Sequence, residues 1–168
     1  MIYHSRHTTR LPRLDYSLPN TFFVTLCAYQ HGCYFSKYPQ LEKIVNQQLS
    51  LVSNYFPNVS IIKQVVMPNH LHLIIKINYQ VSQVTLGKII GVFKGRVVNS
   101  WLKHINDTQL NERACIWQRN YYEHRIRNPQ ELQKYSRYIE LNPWLWNNDP
   151  YHPYHVKKCR GFARRNPL

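Results

Sequence analysis

Hydrophobic spacing in this 168-residue chain alternates between periods of two and about 3.6, and the order of the switches predicts an α+β domain. Two observations carry that prediction. Stretches rich in β-branched and aromatic residues alternate with amphipathic stretches in the order β-α-β-β-α-β-α. The middle two strands meet at Met67-Pro68-Asn69, a natural hairpin connection.

From the N-terminus, "TFFVTLCAY" (21–29) reads as a strand. Over residues 40–55, Leu41, Ile44, Val45, Gln48, Leu49 and Val52 recur at helical spacing. Residues 59–66 and 70–77 are the hairpin strands. Residues 85–105 place Leu86, Ile89, Ile90, Phe93, Val97 and Trp101 on one helical face. "NYYEHRIR" (120–127) suits a fourth strand. "NPQELQKYSRYIELNP" opens a last helix with Asn128 as N-cap, Pro129 at the first helical position and Glu131 completing a capping-box-like start; Pro143 bounds its end. This order is the ferredoxin-like split β-α-β with an added C-terminal helix. It predicts an antiparallel sheet with helices on one face and an open face for a ligand. Residues 1–168 read as a single domain whose ends, 1–14 and 150–168, are arms rich in Pro, His and basic residues. Gly87, Gly91 and Gly95 recur every four residues, at a cost of roughly 1 kcal/mol each relative to Ala, and predict close packing of their helix on the sheet.

Charge constrains the partners. Lys and Arg number 22 against 8 Asp and Glu, a net charge of +14 that points to nucleic acid or another polyanion. Thirteen Tyr and four Trp offer flat faces for unstacked bases. Cys27, Cys33, Cys115 and Cys159 form no C-x-x-C pair and read as reduced, structural thiols. "MIYHSRHTTRLPRL" lacks the apolar segment of a signal peptide, and no run approaches a membrane span, so a soluble cytoplasmic protein is expected.

The chemistry centres on "VVMPNHLHLIIKI" (65–77). Strand alternation turns His70 and His72 to one face and Leu71, Leu73, Ile75 and Ile77 to the other, toward a core. The spacing alone fits a solvent-facing pair as well as a metal-binding pair. On the last helix Tyr138 and Asn142 lie four residues apart and share a face, which can lie across the sheet where the histidines project. Two imidazoles and an amide oxygen make an incomplete coordination shell, and a phenol beside it is equipment for phosphoryl transfer to tyrosine. Periodicity does not separate Tyr138 from Tyr135 one turn earlier, or from Tyr121 and Tyr122 at the sheet edge.

"MPNHLHLII", "IWQRNYYEHRIR" and "YIELNP", in this order, resemble the REP-associated tyrosine transposases. These are relatives of the single-tyrosine transposases of small insertion sequences, within the HUH (His-hydrophobe-His) class of single-strand endonucleases. "RLPRLDYSLPNTFFVTLCAY" resembles the family's opening, and the match runs over roughly residues 6 to 148. The resemblance implies His70 and His72 as paired metal ligands, Tyr138 as nucleophile, and Asn142 as third ligand where the insertion-sequence relatives often carry Gln. It also implies a divalent cation, Mg²⁺ or Mn²⁺, and cleavage and rejoining of single-stranded DNA at REP-like hairpins through a 5′-phosphotyrosine. Such an enzyme would work as a monomer or homodimer at the bacterial nucleoid. Candidate DNA contacts are Arg10, Arg13, Lys88, Lys94, Arg96, Arg119, Arg125 and Arg127. The competing expectation is a catalytically silent protein on the same fold that binds single-stranded DNA or RNA. It would keep the charge and aromatics without needing Tyr138, His70 and His72 together.

Overall fold

The computed structural model describes residues 20–78 and 84–158. Strands β1 (Asn20–Cys27), β2 (Val59–Met67), β3 (His70–Ile77) and β4 (Tyr122–Ile126) form one sheet in the order β2-β3-β1-β4, with every neighbouring pair antiparallel. The two central strands are covered on both faces, so β1 and β3 carry near-continuous buried runs rather than clean alternation.

Most helical segments gather on one face: α1 (Tyr34–Lys37), α2 (Pro39–Ser50), α3 (Val52–Tyr55) and α4 (Leu86–Asp107). Against them Phe22, Val24 and Leu26 of β1 and Leu71, Leu73, Ile75 and Ile77 of β3 form the main core. The helix expected over 40–55 is divided at Leu51, and α1 was too short to leave a period in the sequence. Thr85 caps α4, its hydroxyl accepting from the Lys88 amide at 3.2 Å.

Gly91 and Gly95 do not pack on the sheet. Both are exposed, and a Cβ added to either would meet nothing within 4 Å. The apolar stripe from Leu86 to Trp101 takes the sheet-facing side of α4, and the glycines turn outward.

Helix α5 (Pro129–Leu141) crosses the opposite face of the sheet. The capping-box-like start forms, shifted by one residue on its return bond: Asn128 accepts from the Glu131 amide at 2.8 Å, and Glu131 accepts from the amide of Arg127, just ahead of the N-cap, at 2.9 Å. Phe23, Ile74, Ile126, Tyr135 and Ile139 make a second, smaller core beneath it, and a Lys63–Glu140 ion pair ties α5 to β2. Beyond α5 the chain makes a short turn over Trp146–Asn148, then enters helix α6 (Pro153–Lys158). None of the described helices is long and apolar enough to cross a membrane.

Candidate active site

β3 is a central strand, and in its register with β1 Thr25 stands opposite His72 and Cys27 opposite His70. Both histidines are fully buried, which rules out the solvent-facing reading. α5 and the segment that follows it roof this face of the sheet: Tyr138 of α5 lies edge-on to His72 at 5.1 Å, and Tyr151 lies 4.8 Å from His70, while Phe23 of β1 stacks on His72 at 5.2 Å.

The hydrogen bonds define the imidazoles. Asn69 Nδ2 donates to two backbone carbonyls, His31 O at 3.1 Å and Tyr151 O at 2.7 Å, which fixes the orientation of its amide. Asn69 Oδ1 therefore faces His70 Nδ1 at 2.9 Å, and that nitrogen must carry the proton. The lone pair of His70 sits on Nε2, 3.0 Å from His72 Nε2. Without a cation, His72 meets that lone pair by donating from Nε2 while its Nδ1 accepts from the Thr25 hydroxyl at 2.9 Å. Rotation of the hydroxyl reverses the second bond and frees both Nε2 lone pairs toward one point. Thr25 and Asn69 are thus the outer partners that a coordinating histidine pair requires.

Burial holds His72 neutral, its pKa lowered to about 3, and puts His70 well below its ordinary value, helped by the neighbouring His72. Neutral imidazoles are the ligating form.

Two oxygen-bearing side chains lie near the pair. Asn142, just past the last turn of α5, is buried, and its Oδ1 has no hydrogen-bond partner. Asp149 is also buried. Its Oδ1 accepts from the Tyr151 amide at 2.7 Å, while its Oδ2 is unpartnered and lies 3.8 Å from His70 Nε2. Burial raises the Asp149 pKa. One ligand atom from each of His70, His72 and Asp149 falls within 4.8 Å of the others. The Asp149 carboxylate and two converging nitrogens fit a divalent cation, with the Asn142 side chain beside them as hydrogen-bond donor to Asp149 and Tyr138. The 3.0 Å spacing is that of two imidazoles bound at about 2.1 Å and roughly at right angles to one ion. Asp149 left no signal in the sequence: it is a single acid in a Pro- and His-rich tail that shows no periodicity.

The tyrosines separate by environment. Tyr138 Oη lies 3.4 Å from His72 Nε2, with the ring edge-on to His72 at 5.1 Å. Burial, reinforced by Asp149 and opposed by a hydrogen bond from Asn142, pushes its phenol up to about 12. Tyr135 is instead core, stacked on Phe23 at 4.5 Å and packed on His124 at 5.0 Å. Tyr121 packs against the main core and Tyr122 against the smaller one.

The cationic candidates are dispersed. Arg10 and Arg13 lie outside the described residues, as does Cys159. Lys88, Arg119, Arg125 and Arg127 are exposed, and the last two line a groove with Lys76 at the sheet end far from the histidines. Lys94 donates to Gln118 O at 2.8 Å, and burial lowers its pKa to about 8. Arg96 lies 3.9 Å over the Tyr55 ring and donates to Gln48 at 3.1 Å, so it fastens α4 to the segment bearing α2 and α3.

The family described as IS200-like transposase matches residues 23–142. An uncharacterized protein of Haemophilus influenzae is 33% identical over 178 residues, covering 87% of this chain and 92% of its own. A REP-associated tyrosine transposase, solved bound to a REP hairpin, superposes with a TM-score of 0.61 at 20% identity, over 92% of this chain and 88% of that one. The α+β fold with a four-stranded antiparallel sheet is the fold of that structure.

Proposed function

We infer the function from the premise that this chain belongs to the IS200-like transposase family. It is a metal-dependent endonuclease that cleaves and rejoins single-stranded DNA at hairpin sequences, with Tyr138 as nucleophile. One observation carries the reading: the Tyr138 hydroxyl stands 3.4 Å from the Nε2 of a buried, converging histidine pair.

His70, His72, Asn142 and Asp149 would hold the cation, Mn²⁺ more readily than Mg²⁺ because half the donors are nitrogen. A cation held by these residues would supply charge neutralisation at the scissile phosphate and favour ionisation of a nearby phenol. Tyr138 Oη attacks phosphorus, the bond to the 3′ oxygen breaks, and that oxygen takes up the proton. The product is a 5′-phosphotyrosine with a free 3′-OH, which stores the bond energy for rejoining. α5 orients the attacking oxygen, since its smaller core fixes the ring of Tyr138 against Phe23 and His72. The net charge of +14 supplies salt-sensitive affinity for the strand, and Lys88, Arg119, Arg125 and Arg127 are the exposed candidates for phosphate contact.

The test is peptide mapping of the covalent adduct formed with a labelled single-stranded hairpin and Mn²⁺. Tyr138→Phe removes one oxygen, keeps the ring, and eliminates adduct; Tyr135→Phe retains it. A phosphotyrosine at Tyr135, Tyr121 or Tyr122 refutes the assignment. Absence of adduct under any metal, with DNA binding intact, supports the silent binding protein instead.

A further inference from the structure

The side chain of Asn69 reaches three separated parts of the chain. It is fully buried in the two-residue turn between β2 and β3. Its Oδ1 accepts from His70 Nδ1 at 2.9 Å; its Nδ2 donates to His31 O at 3.1 Å and to Tyr151 O at 2.7 Å, the latter 82 residues away in sequence. The His31 carbonyl belongs to a turn in which Gln30 (φ 51°) and His31 (φ 54°) are both left-handed, an uncommon conformation for residues other than glycine. The Tyr151 carbonyl lies two residues beyond Asp149, and the Tyr151 amide in turn donates to Asp149 Oδ1.

We propose that Asn69 is the positioning residue that couples the histidine pair to the C-terminal segment carrying Asp149, so that one amide aims a nitrogen ligand and seats an oxygen ligand together. This rests on the cation site inferred above. The chemistry is that of a fully used amide. The carbonyl end holds His70 in the tautomer whose Nε2 is free to coordinate. The NH₂ end bridges two backbone carbonyls from separate parts of the chain. Aspartate cannot replace it, because its second oxygen would face those two carbonyls. Serine is too short to make all three bonds.

The experiment uses DNA-free protein, so that it reads assembly of the site rather than turnover. Mn²⁺ is titrated by electron paramagnetic resonance into wild type, Asn69→Ala, Asp149→Asn and the double variant, and amide hydrogen exchange is followed over residues 149–155. Asn69→Ala is expected to weaken Mn²⁺ about 10- to 100-fold. Exchange at the Tyr151, His152 and His155 amides should speed at least tenfold while β1 and β3 stay protected. In the double variant the Asp149→Asn effect should largely disappear, because a released segment no longer presents the carboxylate. Asn69→Asp, which keeps the side-chain volume and the His70 acceptor, should release the segment in the same way and guards against a mere cavity effect. Unchanged exchange over 149–155, or strictly additive effects on Mn²⁺, overturns the proposal. Wild-type protein that takes up no Mn²⁺ refutes the metal reading itself, and the role of Asn69 in seating the segment is then decided by the exchange result.

Discussion

Phe23 offers a sharp test of how the fold presents the nucleophile. Its ring is fully buried, stacks on Tyr135 at 4.5 Å and on His72 at 5.2 Å, and meets Tyr138 edge-on at 5.9 Å. Phe23→Ala removes the centre of the small core that seats α5, at about 3–5 kcal/mol for a buried Phe→Ala change. For a chain of this size that lowers Tm by roughly 6–20 °C. Phe93→Ala in the main core, where the ring packs on Trp117 at 5.9 Å, should cost a similar amount of stability. The two differ at the site. Losing the ring contacts to His72 and Tyr138, at about 0.5–1.5 kcal/mol each, removes roughly 1–3 kcal/mol of seating, or about 5- to 150-fold in rate. The assay measures the rate of adduct formation across a temperature series and plots it against the folded fraction from circular dichroism. At equal folded fraction Phe23→Ala should fall well below Phe93→Ala. Superimposed curves would refute the claim that the small core aims Tyr138.

Other outcomes follow from the same geometry. In metal-free protein His72 is neutral down to about pH 3, whereas in the unfolded chain it takes up a proton below about 6.5. The stability it contributes is therefore present above pH 6.5 and lost as pH falls toward 3, at up to about 1.4 kcal/mol per pH unit. Urea unfolding at pH 7 and pH 5 should show a steeper loss for wild type than for His72→Gln, and equal losses would contradict the buried-neutral assignment. Asp149→Ala should weaken Mn²⁺ about 10-fold or more and lower adduct yield at limiting Mn²⁺, with recovery at high Mn²⁺; a metal titration identical to wild type would remove Asp149 from the site. Affinity for single-stranded hairpin DNA should fall steeply with salt, and the Arg125→Ala/Arg127→Ala double variant should reduce the logarithmic slope by roughly 1–2. An unchanged slope would place the DNA away from that groove.

Local chemistry carried much of this protein into its sequence. The period-two run from His70 to Ile77 meant a strand whose histidines share a face, and the structure has that strand and that face. Asn128, Pro129 and Glu131 announced α5, and the helix starts there, with Asn128 accepting from the Glu131 amide and Glu131 from that of Arg127. Such signals are legible because a cap, a turn or an alternation involves residues only a few positions apart. Tertiary contact decided the rest. The stripe of Gly91 and Gly95 looked like a packing surface, but the competing apolar stripe of α4 claimed the sheet and left the glycines outside. Tyr135 and Tyr138 were equivalent on a helical wheel; only the position of Phe23 beneath α5 turned the first into core and set the second beside His72. Tyr151 fell in the arm read from residue 150, and Asp149 just ahead of it carried no signal, yet the chain folds back and Asn69 holds Tyr151 across 82 residues. No periodicity spans such a distance, because what brings Asp149 beside His70 is contact between segments that become neighbours only once the sheet has folded.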